Sequence, residues 1–356
     1  MQADTKLNNF DLVRLSLSWI VVFVHLYQMT GILYYSPFYK FLSASFAVKA
    51  FFAISGYLVT ISYVNCKGLA DFAERRIRRI FPAYVTIVIV SFVIGAIFTQ
   101  WQLDLFFLNV QTWKYLFSNL VFLNFLQPTL PGVFESHVVT AMNPALWTIK
   151  IELCLYLCVP FIVYGFRRFG VWPVAGLLYI LSVTWLLGFR AIGEQNKFFL
   201  ELSRQFPGQL AFFVSGAALA MAPLKKSHMY VATIVSGIAF YFTTGVPRAF
   251  VEPAFFAIVV LAIAIAIPYL GNFGRFGDLS YGTYIFHGVA IHLLLASGLL
   301  KSSPLLGVFA TVILVAVLAY CSWRWLEKPL LKRTKTKAVM TDGEEKGMFK
   351  PTAKGE

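Results

Sequence analysis

The sequence predicts an all-α polytopic membrane protein, a single bundle of about ten transmembrane helices. Three observations carry that class. Of 356 residues, 59% are hydrophobic and only 13% are charged, against roughly 45–50% and 25% in soluble domains. The apolar residues come in runs of about twenty, the length that crosses a hydrocarbon core. The polar residues left over are too few to cover the two soluble domains that this length would otherwise make. The same composition excludes collagen-like, coiled-coil, disordered and disulfide-rich secreted chains.

Taken in order, the first span covers 10–32 and holds Arg14 and His25. It reads as a full span rather than a cleavable signal, because it contains Arg14 and lacks a small-residue cleavage site. The second covers 43–64, with Lys49 near its start and Ser55-Gly56 in its middle. The third, 82–99, follows the run Arg75-Arg76-Ile77-Arg78-Arg79. Between 100 and 143 lies an aromatic segment in which Trp113 to Leu126 reads as a re-entrant or surface-lying helix and Gln127 to Asn143 as loop. Spans four to ten are predicted at 144–165, 172–188, 207–222, 229–245, 250–269, 280–299 and 305–325. The chain thus divides into an N-terminal segment (1–9), a membrane domain (10–325) and a polar, Lys-rich tail (326–356) expected to be disordered. No internal repeat is evident, which weighs against an inverted-repeat transporter.

A net charge of +14 raises the question of nucleic acid, but a nucleic-acid binder needs a basic patch on a water-soluble module, and none is present. Lys and Arg instead sort by side, as membrane insertion requires. The arginine run, Arg167-Arg168, Lys225-Lys226, Arg275 and the tail fall on one side. That places both termini in the cytoplasm, with an even number of spans. The four cysteines, Cys66, Cys154, Cys158 and Cys321, have neither metal-site spacing nor a pattern of paired bridges. No His and carboxylate group has metal spacing, so no metal is expected.

Ionisable residues inside a bilayer are costly and mark function. Arg14 and His25 are eleven residues apart, about three helical turns plus 20°, so both face one way at about 16 Å separation. The pair suits a phosphate-bearing cofactor gripped at the cytoplasmic mouth, with its reactive end delivered to an imidazole base. Each alone reads equally as a snorkelling arginine or a hydrogen-bonded interior histidine. In Trp147-Thr148-Ile149-Lys150-Ile151-Glu152, the two charged residues lie about 200° apart and do not pair with each other. Lys49, at similar depth, is placed to neutralise Glu152. His287 sits two turns into the ninth span, and His292 points about 140° away from it. His137 and Glu135 fall in the long outer loop, either solvated or lining an acceptor cleft. No phosphate-binding glycine loop supports ATP-driven transport, and no G-x-S-x-G elbow supports a serine hydrolase.

Taken together, six segments resemble the acyltransferase-3 family of membrane-bound acyltransferases, from about Asn9 to Pro329. These are Arg14 with His25, Phe51 to Leu58, Arg76 to Tyr84, Trp147 to Tyr156, Asp278 to His287, and Glu327-Lys328-Pro329. The resemblance implies transfer of an acyl group, most often acetyl, from cytoplasmic acyl-CoA (acetyl-CoA) to an extracytoplasmic glycan or lipid-linked sugar. It also implies a bacterial inner-membrane location, with glycan-assembly proteins as partners. His25 is then the catalytic base, and Arg14 a catalytic, CoA-side or structural partner. Arg76, Arg79, Tyr84 and His287 belong to the cofactor site, Glu152 to catalysis, and Trp147, Lys150, Lys49, His137 and Ser55 to the acceptor site. Many members continue into an extracytoplasmic esterase-like domain, for which this length leaves no room. The chain is therefore expected to act alone or to donate its acyl group to a partner transferase. A non-enzymatic transporter or flippase of an acyl or glycan carrier is the rival reading.

Overall fold

A computed structural model describes residues 8–194 and 196–331. The expectations for the first seven residues and for the tail beyond Leu331 lie outside the described residues. Among those described there are helices and no strands, and each predicted span coincides with a helix. These are α1 (Phe10–Thr30), α2 (Ala44–Val64), α3 (Leu69–Phe98), α4 (Trp147–Phe169), α5 (Val171–Gly193), α6 (Phe206–Met221), α7 (Lys226–Phe242), α8 (Gly245–Ala266), α9 (Ser280–Ala296) and α10 (Pro304–Leu331). The ends follow local chemistry. Gly31 closes α1 at φ +65°, its N–H donating to the Tyr27 carbonyl. The Ser43 hydroxyl opens α2 by accepting from the Phe46 N–H at 3.1 Å.

The all-α membrane class holds. Seven of the helices are long and apolar enough to cross a membrane. The others, α6, α7 and α9, have 16, 17 and 17 residues, about 24 to 26 Å at 1.5 Å per residue, at the lower end of the length that crosses a hydrocarbon core. For α9 the reason is its position. Every residue from Ser280 to His292 is buried, so this helix is surrounded by protein rather than matched to lipid. Two other boundaries move. Helix α3 begins at Leu69 rather than 82 and runs through Pro82, which puts the arginine run on the helix itself. Helix α10 continues to Leu331, past the expected limit of 325, with a π turn over Ser322–Glu327. The 100–143 segment forms short helices at Leu103–Leu108 and Val110–Leu120, then a 3-10 turn at Asn124–Leu126.

Close backbone approach ties α2 to α6. A Cβ at Gly56 would stand 1.9 Å from the Phe213 carbonyl oxygen, and one at Gly216 would stand 2.0 Å from that of Ala53. Only glycine permits such proximity, and in lipid it is packing rather than hydrophobic exclusion that joins helices. Helices α1 and α9 run parallel: Arg14 pairs with Asp278, just before α9, and His25 pairs with His287. The predicted common face of Arg14 and His25 is therefore real, and it faces α9.

Candidate active site

The arginine run does not act as a block. Arg75 donates to Asp71 at 2.7 and 2.8 Å, and Arg78 pairs with Glu74 one turn back. Arg79 reaches across the bundle to Asp278 and to Glu327, the latter at 3.0 Å. The π turn of α10 presents Glu327, which also accepts from the Ser322 hydroxyl at 3.1 Å. Asp278 receives Arg14 and Arg79 together, along with the Ser280 hydroxyl at 2.5 Å. Burial alone would raise the Asp278 carboxyl, but the two guanidiniums and the hydroxyl outweigh it and hold it well below the usual carboxylate range. Arg76 differs from its neighbours: it donates to the neutral Ser62 hydroxyl at 3.0 Å, and its buried Nε has no hydrogen-bond partner.

Two cavities meet here. One is lined by Arg14, Arg75, Arg76, Arg78 and Arg79 with Ser55, Ser62 and Tyr156. The other is lined by Glu152, Phe51, Thr148 and Tyr284 among others, and shares Arg14, Ser55, Arg79 and Tyr156 with the first. At the junction the Ser55 hydroxyl donates to Glu152 Oε1 at 3.2 Å, and the Tyr156 hydroxyl donates to the same oxygen. The first cavity is cationic and has guanidinium donors to spare; the second pairs a carboxylate with aromatic and hydroxyl walls.

A histidine chain stands beside Tyr284. His287 Nδ1 lies 2.7 Å from the Tyr284 carbonyl oxygen, and His287 Nε2 lies 2.7 Å from His25 Nδ1. A carbonyl only accepts, so His287 Nδ1 carries the proton and its Nε2 is an acceptor. His25 Nδ1 must then donate, which leaves His25 Nε2 with a free lone pair. That is the tautomer a general base needs. His25 is not among the residues lining either cavity.

The structure brings Arg14, Arg76, Arg79, Glu152 and Ser55 together, with His25 and His287 adjoining, and places the other predicted residues elsewhere. Lys49 pairs not with Glu152 but with Glu252 at 2.8 Å, because α8 rather than α4 lies against that face of α2. Tyr84 donates to the Asn119 carbonyl at 2.7 Å and stacks on Phe122, lining neither cavity. Lys150 sits over the Phe125 ring at 4.4 Å, and Trp147 is 37% exposed at the head of α4. His137 faces His292, with 2.8 Å between their Nδ1 atoms. Three residues escaped assignment in the sequence: Asp278, Glu327 and Tyr156. The first two were legible as rare acids among arginines, and Tyr156 as the residue one turn after Glu152. Among the described residues no three His, Cys, Asp or Glu side chains gather as a metal site.

Comparison with known proteins gives these features a context. The sequence profile of the acyltransferase-3 family, an acyltransferase domain, matches residues 7–324. Nodulation protein 10 of Rhizobium leguminosarum bv. viciae is 28% identical over 364 residues, covering 91% of this chain and 93% of that protein. The O-acetyl transferase of Shigella phage Sf6 is 28% identical over 341 residues, covering 93% and 98%. The O-acetyltransferase OatA of Staphylococcus aureus is 25% identical over 371 residues, which is 92% of this chain and 59% of OatA. No solved structure matches. With its helical membrane bundle and a family match over nearly the whole length, the chain belongs to the acyltransferase-3 family and is a multi-pass membrane O-acyltransferase.

Proposed function

We propose that the protein moves an acetyl group from cytoplasmic acetyl-CoA to a hydroxyl of an extracytoplasmic glycan or lipid-linked sugar, with His25 as the base. The observation that carries this reading is the chain from the Tyr284 carbonyl through His287 to His25, which leaves His25 Nε2 able to accept the acceptor's hydroxyl proton. The donor side is supported by the arginine-lined cavity. Arg76, whose buried Nε has no hydrogen-bond partner, is suited to a phosphate, which guanidinium binds through paired N–H groups. Gathering the arginines at one end of the bundle agrees with a cytoplasmic location for that end. Acetyl is favoured because two relatives carry O-acetyl transfer in their names.

The test compares wild type with His25→Ala in the host. The variant should insert into the membrane at normal levels while acetylated surface glycan, read by mass spectrometry, disappears. Wild-type acetylation by that variant would remove His25 from the mechanism. Purified protein given labelled acetyl-CoA and host glycan should release free CoA. A transporter or flippase would bind its cargo and release none.

A further inference from the structure

We infer that the acyl group passes through a covalent ester on Ser55, with Glu152 as the base that activates the hydroxyl; this rests on the acetyl-CoA reading above. The first ground is chemical. An activated nucleophile needs a base within hydrogen-bond reach and a third group that orients the base. Ser55 Oγ donates to Glu152 Oε1 at 3.2 Å, and the Tyr156 hydroxyl holds that same oxygen one turn away. Glu152 is hydrogen-bonded by these two hydroxyls, and among the described residues no Lys or Arg lies within ion-pair distance of it, Arg76 acting on it from farther off. An ionisable residue inside the bundle is costly and marks function.

The second ground is position. Ser55 lies where the two cavities meet, lining both. A donor whose phosphates rest on Arg76 would extend toward this neck. The adjoining Gly56 is pressed against the Phe213 backbone, so α2 holds the serine in place. An ester on Ser55 also separates the donor and acceptor encounters in time, whereas direct transfer would need thioester and acceptor together at about 3–3.5 Å.

In the first step Ser55 gives its hydroxyl proton to Glu152 and its Oγ bonds to the acyl carbon. The carbon–sulfur bond breaks, and the departing thiolate takes the proton from Glu152 to leave as free CoA. In the second step the acceptor hydroxyl gives its proton to His25 Nε2 and its oxygen bonds to the acyl carbon. The bond to Ser55 Oγ breaks, and Oγ recovers a proton from the His25 imidazolium.

The experiment incubates the full chain in nanodiscs with radiolabelled acetyl-CoA and no acceptor, followed by an acid quench and peptide mass spectrometry. One acetyl group should appear on the peptide containing Ser55 and vanish when host glycan is added. Ser55→Ala should give no adduct. Ser55→Cys should give a thioester at the same position, which keeps the test valid if alanine disturbs the helix. Glu152→Gln should slow charging by about 10²- to 10⁴-fold, the usual range for a lost general base. His25→Ala should charge but fail to discharge. Wild-type transfer to glycan with no adduct, or with the adduct on another residue, would overturn the inference while leaving the acetyl-CoA reading intact. A wild-type chain that neither binds acetyl-CoA nor releases CoA would overturn that reading, and this one with it.

Discussion

Replacing His287 with alanine tests whether the ring behind His25 sets its protonation. His287 has no solvent exposure, so water does not replace the lost acceptor. The contact removed is the 2.7 Å bond from His25 Nδ1 to His287 Nε2. A buried donor left without a partner costs about 1–3 kcal/mol. That penalty falls on the Nδ1–H tautomer of His25, the one that leaves Nε2 free. At 1.36 kcal/mol per factor of ten, kcat should fall about 5- to 150-fold. The KM for acetyl-CoA should stay within about twofold, since the arginine cavity is untouched. CoA release by purified protein, with host glycan as acceptor, reads both quantities. His287→Gln, which restores an acceptor oxygen near the position of Nε2, should recover activity to within about tenfold of wild type. Thermal unfolding followed by tryptophan fluorescence separates this from a folding defect, because both variants lose the ring. If His287→Ala turns over at the wild-type rate, or if glutamine is no better than alanine at equal stability, the tautomer argument is wrong.

Three further outcomes follow from the packing. Gly216→Ala places a methyl 2.0 Å from the Ala53 carbonyl oxygen; backbone on both sides leaves little room to yield, so unfolding should become easier by about 1–3 kcal/mol, read as a lower thermal midpoint. Asp278→Asn leaves Arg14 and Arg79 facing a neutral amide and should cost about 3–5 kcal/mol. Because the folded carboxyl is held below its ordinary value, its stabilisation is complete above about pH 3.9 and is lost as pH falls through the lower folded value; thermal melts from about pH 4 down to about pH 2 should decline less in the asparagine variant. Breaking the Lys49–Glu252 pair one side at a time should destabilise strongly, whereas Lys49→Met with Glu252→Leu should be near neutral, a non-additivity that a double-mutant cycle on thermal stability measures.

Some of this was legible because it depends only on distance along one helix. Apolar run length located the helices, and eleven residues of spacing put Arg14 and His25 on one face, as their partners Asp278 and His287 bear out. Other features depend on which helices become neighbours. Depth placed Lys49 level with Glu152, but a charge pairs with whatever carboxylate packs against it, and α8 supplied Glu252. Tyr84 matched a motif beside the arginines, yet its ring points to the Asn119 carbonyl, because the segment after α3 folds back over it.

The sequence by itself determined the membrane class, the enzyme family and the short list of interior charges, since hydrophobic length and the cost of burying ions act residue by residue. Only the tertiary structure decided how those charges divide. Arg79 is neutralised by Asp278 and Glu327, Arg76 keeps a buried Nε without a hydrogen-bond partner, Glu152 is held by two hydroxyls, and His25 is bonded to His287. The reason is that, Tyr156 apart, each partner is distant in sequence: Asp278 just before α9, Glu327 on α10, Ser55 and Ser62 on α2 and His287 on α9.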